Sequence, residues 1–150
     1  MQNLITPDRV VELAFGGEER AHRELVTECD IAEAEQHYVR PVLGDELFDA
    51  LLSGEYEHLL KEYVEPAIAA WCRYVVEPLL VHRCEKCGDV SVAHNARLDI
   101  TMHHLARRAQ TLTRRLSRHL NNHSSEYEEY NSKLNPKNRC FVYGSIVQVY

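Results

Sequence analysis

The sequence predicts a mainly α, single-domain helical bundle. Apolar residues recur at spacings of three and four through most of the chain, and glycines and prolines interrupt these stretches at helix-length intervals. The length of 150 residues is enough for one domain with a real core. The last residues differ, because they are rich in β-branched and aromatic side chains. We therefore expect a helical domain over residues 1–138, followed by a C-terminal strand or extended tail over 139–150.

Local signals mark the first two helices. Thr6 suits an N-cap and Pro7 the first helical position, and the Gly-Gly pair at 16–17 stops this short helix. A second helix is expected to begin at about residue 18 or 20 and to continue to Val39, before the proline two residues later ends it.

The stretch YVRPVLG joins the second helix to a third, short helix that ends before Gly54. Pro41 biases Arg40 out of the helical region. Gly44 can adopt a left-handed conformation, and Leu43 holds the turn against the core. This turn is therefore predicted to set the angle between two helices.

Two longer helices follow. The first covers about residues 55–80 and carries Trp71 at its centre, where we expect it to be buried. Pro66 predicts a kink or break in this helix, and Pro78 should end its regular part. The second carries a stripe spaced by four and three, formed by Leu98, Met102, Leu105, Ala109, Leu112 and Leu116. Leu105 is predicted to be buried, and its replacement by Ala to cost about 2–5 kcal/mol.

The composition disfavours a secreted, a membrane-spanning and a disulfide-bonded protein. The chain lacks a basic segment followed by a continuous apolar one at its start, and nowhere do 18 apolar residues run together. We expect a soluble protein with no cleavable signal and no membrane contact. Five cysteines, an odd number spread along the chain, fit reduced thiols in a cytoplasm better than disulfides.

The stretch HRCEKCGD contains the weak candidates for a metal site. Cys84 and Cys87 have C-x-x-C spacing, and His82 and His94 flank them. A structural zinc site usually needs two such pairs, so we expect no bound metal and no cofactor. A redox pair is disfavoured because no βαβ pattern precedes these cysteines.

Two E-x-x-H sequences raise the alternative of a metal-dependent enzyme. They are Glu19 with His22, and Glu55 with His58. This spacing places ligands on one face of di-iron bundle helices. Both pairs follow glycines near helix starts, where the helix dipole alone favours Glu, so this hypothesis ranks last. The pair at 103–104, His-His, is expected to leave one ring exposed.

Charge is divided along the chain. The net charge is −6, but residues 1–80 hold 17 acids and 6 bases, whereas residues 81–150 hold 6 acids and 11 bases. Five arginines in helix 97–118 form the candidate interface or DNA-facing set, namely Arg107, Arg108, Arg114, Arg115 and Arg118. The alternative is a solvated helix face that pairs with the chain's own acids.

The stretch from residue 34 to 47 has the motif A-E-x-x-Y-[hydrophobic]-x-P-x-L-G-x-x-L, carried by Ala34, Glu35, Tyr38, Val39, Pro41, Leu43, Gly44 and Leu47. With this motif and its order of helices, the segment from residue 30 to 80 resembles the head–tail connector proteins of tailed bacteriophages and prophages, also called neck, adaptor or head-completion proteins. The resemblance extends more weakly over residues 5–130.

The resemblance implies a structural virion protein without catalytic residues. Such a subunit would be made in the host cytoplasm and located in the neck of the particle. It would form a ring with copies of itself and contact the portal, the neck or tail proteins and, non-specifically, packaged DNA. The resemblance also implies a short hairpin-like loop at about 81–93, with which the lone C-terminal strand could pair if it does not add to another subunit's sheet. The alternative function is a small regulatory or nucleic-acid-binding helical protein that uses helix 97–118.

Overall fold

Seven α-helices account for most of the structure, a computed structural model that describes residues 2–16, 25–83, 92–143 and 146–149. The mainly α fold class predicted from the sequence is confirmed. None of the described helices is long and apolar enough to cross a membrane. The helices are α1 Pro7–Phe15, α2 Glu28–Ala34, α3 Arg40–Leu43, α4 Asp45–Leu52, α5 Glu57–Leu59, α6 Glu65–Arg83 and α7 Val92–Asn122.

Helix α1 begins and ends where its local signals predicted. The Thr6 side chain accepts a hydrogen bond from the backbone N–H of Arg9, and Pro7 occupies the first turn. Gly16 closes the helix with φ of 78°, a left-handed conformation that favours glycine. One face of α1 is buried and packs against α6.

Helix α2 begins later than expected. Its N-cap is Thr27, whose hydroxyl oxygen accepts from the Asp30 N–H, while the Asp30 carboxylate accepts from the Thr27 N–H at 2.9 Å. This reciprocal capping fixes the start at Glu28 rather than near residue 18 or 20. Residues 17–24 lie outside the described part of the chain.

Helical winding continues towards Pro41 instead of ending before it. A π-helical segment, Glu35–Val39, follows α2, and the N–H of Arg40 donates to the carbonyl of Glu35 five residues earlier. Arg40 itself is helical, with φ of −55° and ψ of −40°, so the expected departure from the helical region is wrong. The wider turn makes room for the proline ring, and α3 then closes the connection.

The same arrangement recurs at the next proline. A second π-helical segment, Leu60–Val64, precedes Pro66, and the N–H of Glu65 donates to the carbonyl of Leu60. The irregularity predicted before Pro66 is this segment. Helix α6 then continues through Pro78 to Arg83, so the predicted end at Pro78 is wrong. Its packing against α1, α2 and α7 outweighs one missing backbone hydrogen bond.

The core lies between α6 and its three neighbours. Trp71 is buried in α6, as predicted. Among the described apolar side chains of α7, Ala109, Leu116 and Leu120 are fully buried, whereas Leu105 is only half-buried. The predicted burial of Leu105 is therefore wrong, because a groove between α1, α6 and α7 opens beside this part of the stripe.

A C-terminal arm, residues 123–139, folds back against α7 without forming an α-helix. Tyr127 and Tyr130 are buried, and Asn135 caps a 3₁₀ turn, Pro136–Asn138. The Asn135 amide donates to the Ser117 hydroxyl at 2.9 Å and to the Tyr130 hydroxyl at 2.8 Å.

The chain ends in a hairpin rather than a lone strand. Strand β1, Cys140–Tyr143, pairs antiparallel with β2, Ile146–Val149, and Tyr143 lies opposite Ile146. The predicted single strand is thus corrected, because its partner is its own second half. Of the expected hairpin-like loop at 81–93, the two ends are helical, and residues 84–91 lie outside the described residues.

Candidate interaction surface

The turn YVRPVLG, residues 38–44, is anchored by aromatic stacking. Tyr38 lies on Trp71 with 3.9 Å between ring centroids and 6° between planes. The Trp71 indole N–H donates to the Thr113 hydroxyl at 2.8 Å, and this hydroxyl donates to the Ala109 carbonyl. Residues from the first π-helical segment, α6 and α7 are thereby joined into one rigid unit.

The motif residues lie around Gly44, from the end of α2 into α4. Gly44 has φ of 85° and ψ of 161°, a conformation that strains other residues, and it precedes α4 directly. Leu43 and Leu47 are buried beneath the turn, while Pro41 is exposed. The turn therefore fixes the angle between α2 and α4, as the sequence predicted.

Arg40 holds this turn from outside, a role that the sequence analysis missed. Its guanidinium donates to Asp45 Oδ1 at 2.7 Å and to Gln36 Oε1 at 2.9 Å. It also lies over the ring of Phe48, 5.0 Å from the centroid. Arg40 therefore links the residues before and after the motif glycine.

Glu35, another motif position, is a buried carboxylate. It is 1% exposed, and its Oε1 accepts from the backbone N–H of Leu4 at 2.8 Å. Burial raises the pKa of Glu35 to about 7, although hydrogen bonds from the backbone N–H groups of Leu4 and Ile5 oppose the shift. The motif glutamate thus attaches the N-terminal segment to the turn unit.

The arginines of α7 divide by environment, although all five are exposed. Arg115 lies 3.3 Å from Glu62 and over the ring of Tyr63, so it pairs within the chain. The basic ridge, which we define as Arg107, Arg114 and Arg118, forms no ion pair with the described residues. Lys137 extends it: burial, and secondarily the charge of Arg114, lower the Lys137 pKa.

A column of aromatic rings stands beside the ridge and was not predicted. Tyr63 stacks on His119 at 4.0 Å, and His119 stacks on His123 at 4.4 Å. His119 also contacts the C-terminal arm through its Nε2, which lies 2.9 Å from the Tyr127 hydroxyl. Burial and then the neighbouring His123 lower the pKa of His119, which favours a neutral ring. The column secures the C-terminal arm.

The proposed metal-ligand residues are only partly described. Among the described residues, no three His, Cys, Asp or Glu side chains are grouped to hold a metal ion. His58 pairs with Glu62 at 2.9 Å, while Glu55 precedes α5 and accepts from Ser53. The candidate side chains outside the described part are Glu19, His22, His82, Cys84, Cys87 and His94. The absence of bound zinc stays a prediction.

The histidine pair on α7 also differs from the expectation. His103 and His104 are both exposed, with ring centroids 6.3 Å apart. On α7 it is Leu105 and Leu112, and not these histidines, that line the groove between α1, α6 and α7. The interpretation that only one of these rings faces solvent is therefore wrong.

A cavity of ≈ 200 Å³ opens between α1, α6 and α7. Arg73 borders it and donates to the Ala14 carbonyl at 2.5 Å, with its guanidinium 4.6 Å from the Phe15 ring centroid. The exposed Arg108 stands at the mouth. The lining residues are Leu13, Ala14, Pro66, Ala70, Arg73, Leu105, Arg108 and Leu112.

Comparison with known proteins adds no assignment to these surfaces. No protein-family model, curated protein or solved structure matches this chain.

Proposed function

We propose that the chain is a structural protein of a tailed phage or prophage that joins the head, at the portal, to the tail as a ring-forming connector. It has no catalytic role. The observation that carries this proposal is the construction of the motif turn, in which Tyr38 stacks on Trp71 and Gly44 redirects the chain over buried Leu43. The residues of the resemblance thus lie together in one turn and its two flanking helices, packed against α6.

The distribution of charge supports the ring. A ring needs two unlike surfaces that meet on neighbouring copies. The basic ridge on α7 supplies one, and the acid-rich helices α2 and α4 supply exposed carboxylates such as Glu33, Glu46 and Asp49. Complementary potentials of this kind fix the register between subunits. Portal and neck or tail proteins are the remaining partners, and the ridge is also suited to non-specific contact with packaged DNA.

The proposal is tested by deleting the gene from the phage or prophage that carries it and examining the particles by electron microscopy. We expect filled heads and separate tails, with joining restored by the wild-type gene. The wild-type chain should also be found in the neck of purified particles. Normal joined particles from the deletion strain would refute the function.

The alternative of a nucleic-acid-binding protein rests on the same basic ridge. It predicts that free chain binds duplex DNA tightly at about 0.15 M salt, with an affinity that falls steeply as salt rises. A connector predicts only weak binding under these conditions. A variant with Arg107, Arg114 and Arg118 replaced by Glu separates the two functions. If the chain is a regulatory nucleic-acid-binding protein, this variant should lose that regulation while heads and tails still join. If the chain is a connector, the variant should fail to join heads to tails.

A further inference from the structure

The lining of the cavity between α1, α6 and α7 is suited to receive an apolar side chain, and we call this cavity the socket. Leu13, Leu105 and Leu112 line it and are only half-buried, although they belong to helices that pack against one another. Protein interiors are normally close-packed, so apolar side chains left beside an opening of ≈ 200 Å³ offer a surface for a further apolar group. An engineered apolar cavity of about 150 Å³ accepts benzene, so this one has room for one branched aliphatic side chain.

The mouth of this cavity selects for negative charge. Arg73 borders it but already binds the Ala14 carbonyl and lies 3.5 Å from Glu77. Arg108 is exposed at the rim, and its guanidinium is placed to receive a carboxylate next to the entering apolar group. The occupant that fits is therefore an exposed aliphatic side chain with an acidic neighbour.

One described feature of the chain has this composition. Ile100 is 62% exposed, and Asp99 beside it is also exposed. Among the described side chains, Leu134 is 59% exposed but follows Lys133, whose charge the arginines would repel, and Leu79 is only 37% exposed. Charge complementarity thus favours the pair formed by Asp99 and Ile100.

A chain cannot fill its own cavity in this way. Helical rotation of roughly 100° per residue places Ile100 about 140° from Leu105 and about 80° from Arg108 around the axis of α7. Ile100, which we call the knob, therefore lies on a different face of α7 from the residues that line the cavity. A contact between different surfaces is heterologous, which is the type that closes into rings.

We propose that Asp99 and Ile100 of one copy dock into the cavity of the next copy, with Ile100 against the leucines and Asp99 paired with Arg108. The occupant of the cavity is thus a second copy of this chain. This inference rests on the proposed ring and names the contact that builds it.

Sedimentation equilibrium of the full chain, at concentrations up to about 1 mM, tests the contact. The wild type should associate reversibly, and Ile100→Asp should weaken association by about tenfold or more. Asp99→Arg and Arg108→Asp should each weaken it, and the double variant should recover. Leu134→Asp is the matched control, since Leu134 is similarly exposed, and it should associate like the wild type.

Mixing two variants separates a heterologous contact from a symmetric one. Ile100→Asp keeps an intact socket and Arg108→Asp keeps an intact knob, so their mixture should stop at a one-to-one dimer. A wild type that is monomeric throughout, or an Ile100→Asp variant that associates normally, would overturn the proposal. The connector function fails separately, if the chain is absent from particle necks while the solution contact behaves as expected.

Discussion

Tyr38 and Trp71 stack nearly parallel, with ring centroids 3.9 Å apart, across the contact between the motif turn and α6. Tyr74 meets both rings edge-on, at 6.4 Å from Tyr38 and 5.6 Å from Trp71. Aromatic pairs contribute about 0.5–1.5 kcal/mol beyond the area they bury. The angle of the motif turn therefore depends on the ring of Tyr38 more than on its hydroxyl.

Replacing Tyr38 by Ala is expected to lower the free energy of unfolding by about 2 kcal/mol, because the half-buried ring and its stacking are both lost. Tyr38→Phe retains the ring and should change stability by less than about 0.5 kcal/mol. Urea titration followed by Trp71 fluorescence measures both. Equal losses in the two variants would show that the hydroxyl, not the stack, holds the turn.

The two halves of the α7 stripe should differ in their contribution to stability. Leu116 is 0% exposed, so Leu116→Ala leaves a closed cavity and should cost about 2–5 kcal/mol. Leu105 borders an open groove, so Leu105→Ala should cost about 1 kcal/mol or less. Thermal unfolding of both variants at one protein concentration makes the comparison. A larger loss from Leu105 would place the groove on the wrong face of α7.

Stability should depend on the ionisation of Glu35. Its pKa rises from 4.5 to about 7 on folding, so the native state binds the proton more tightly than the unfolded state does. Stability from this group is therefore complete below pH 4.5 and declines as the pH rises to 7, by roughly 3 kcal/mol. Glu35→Gln cannot ionise, so the wild type should lose stability relative to this variant across that range. Parallel pH dependences would contradict the assignment.

The C-terminal arm should be released by one substitution. Asn135→Asp removes the amide that donates to Ser117 and Tyr130, and it places a carboxylate at a position only 1% exposed. The expected cost is about 1–3 kcal/mol, together with faster amide exchange in residues 126–138. Asn131→Asp is the control, since Asn131 is exposed and only its side-chain oxygen is used, as an acceptor for the Lys133 N–H. Unchanged exchange in Asn135→Asp would mean that the aromatic column alone holds the arm.

Local signals predicted local structure well. The capping of α1 and the glycine that starts α4 each act within a few residues, so their effects are visible in the sequence. The hairpin also had such a signal, since Gly-Ser separates Tyr143 from Ile146 and a two-residue stretch that begins with glycine favours a tight hairpin. The burial of Leu105 needed the distance between three helices, which no single periodicity contains.

Prolines were the main source of error. A proline removes one backbone donor and crowds the preceding turn, and these effects predict a helix end when each segment is considered alone. Here a π-helical segment ahead of Pro41 and another ahead of Pro66 relieve the crowding, while packing of the flanking residues maintains the helical course. The role of Glu35 required a contact with Leu4, which is distant in sequence, and the role of Arg40 required the geometry of the turn that brings Gln36 and Asp45 to its guanidinium.

Deleting residues 139–150 tests whether the hairpin belongs to the fold or to assembly. Its strands hydrogen-bond to each other, and among the described elements neither shares an extensive contact with a helix. The truncated chain should therefore keep its helical circular dichroism and unfold within a few degrees of the wild type. A two-stranded ribbon is marginally stable alone, so we expect it to add to a sheet edge of a neighbouring subunit or neck component, and truncation should leave heads and tails unjoined. An unfolded truncated chain would assign the hairpin to the core, and normal particles would exclude it from docking.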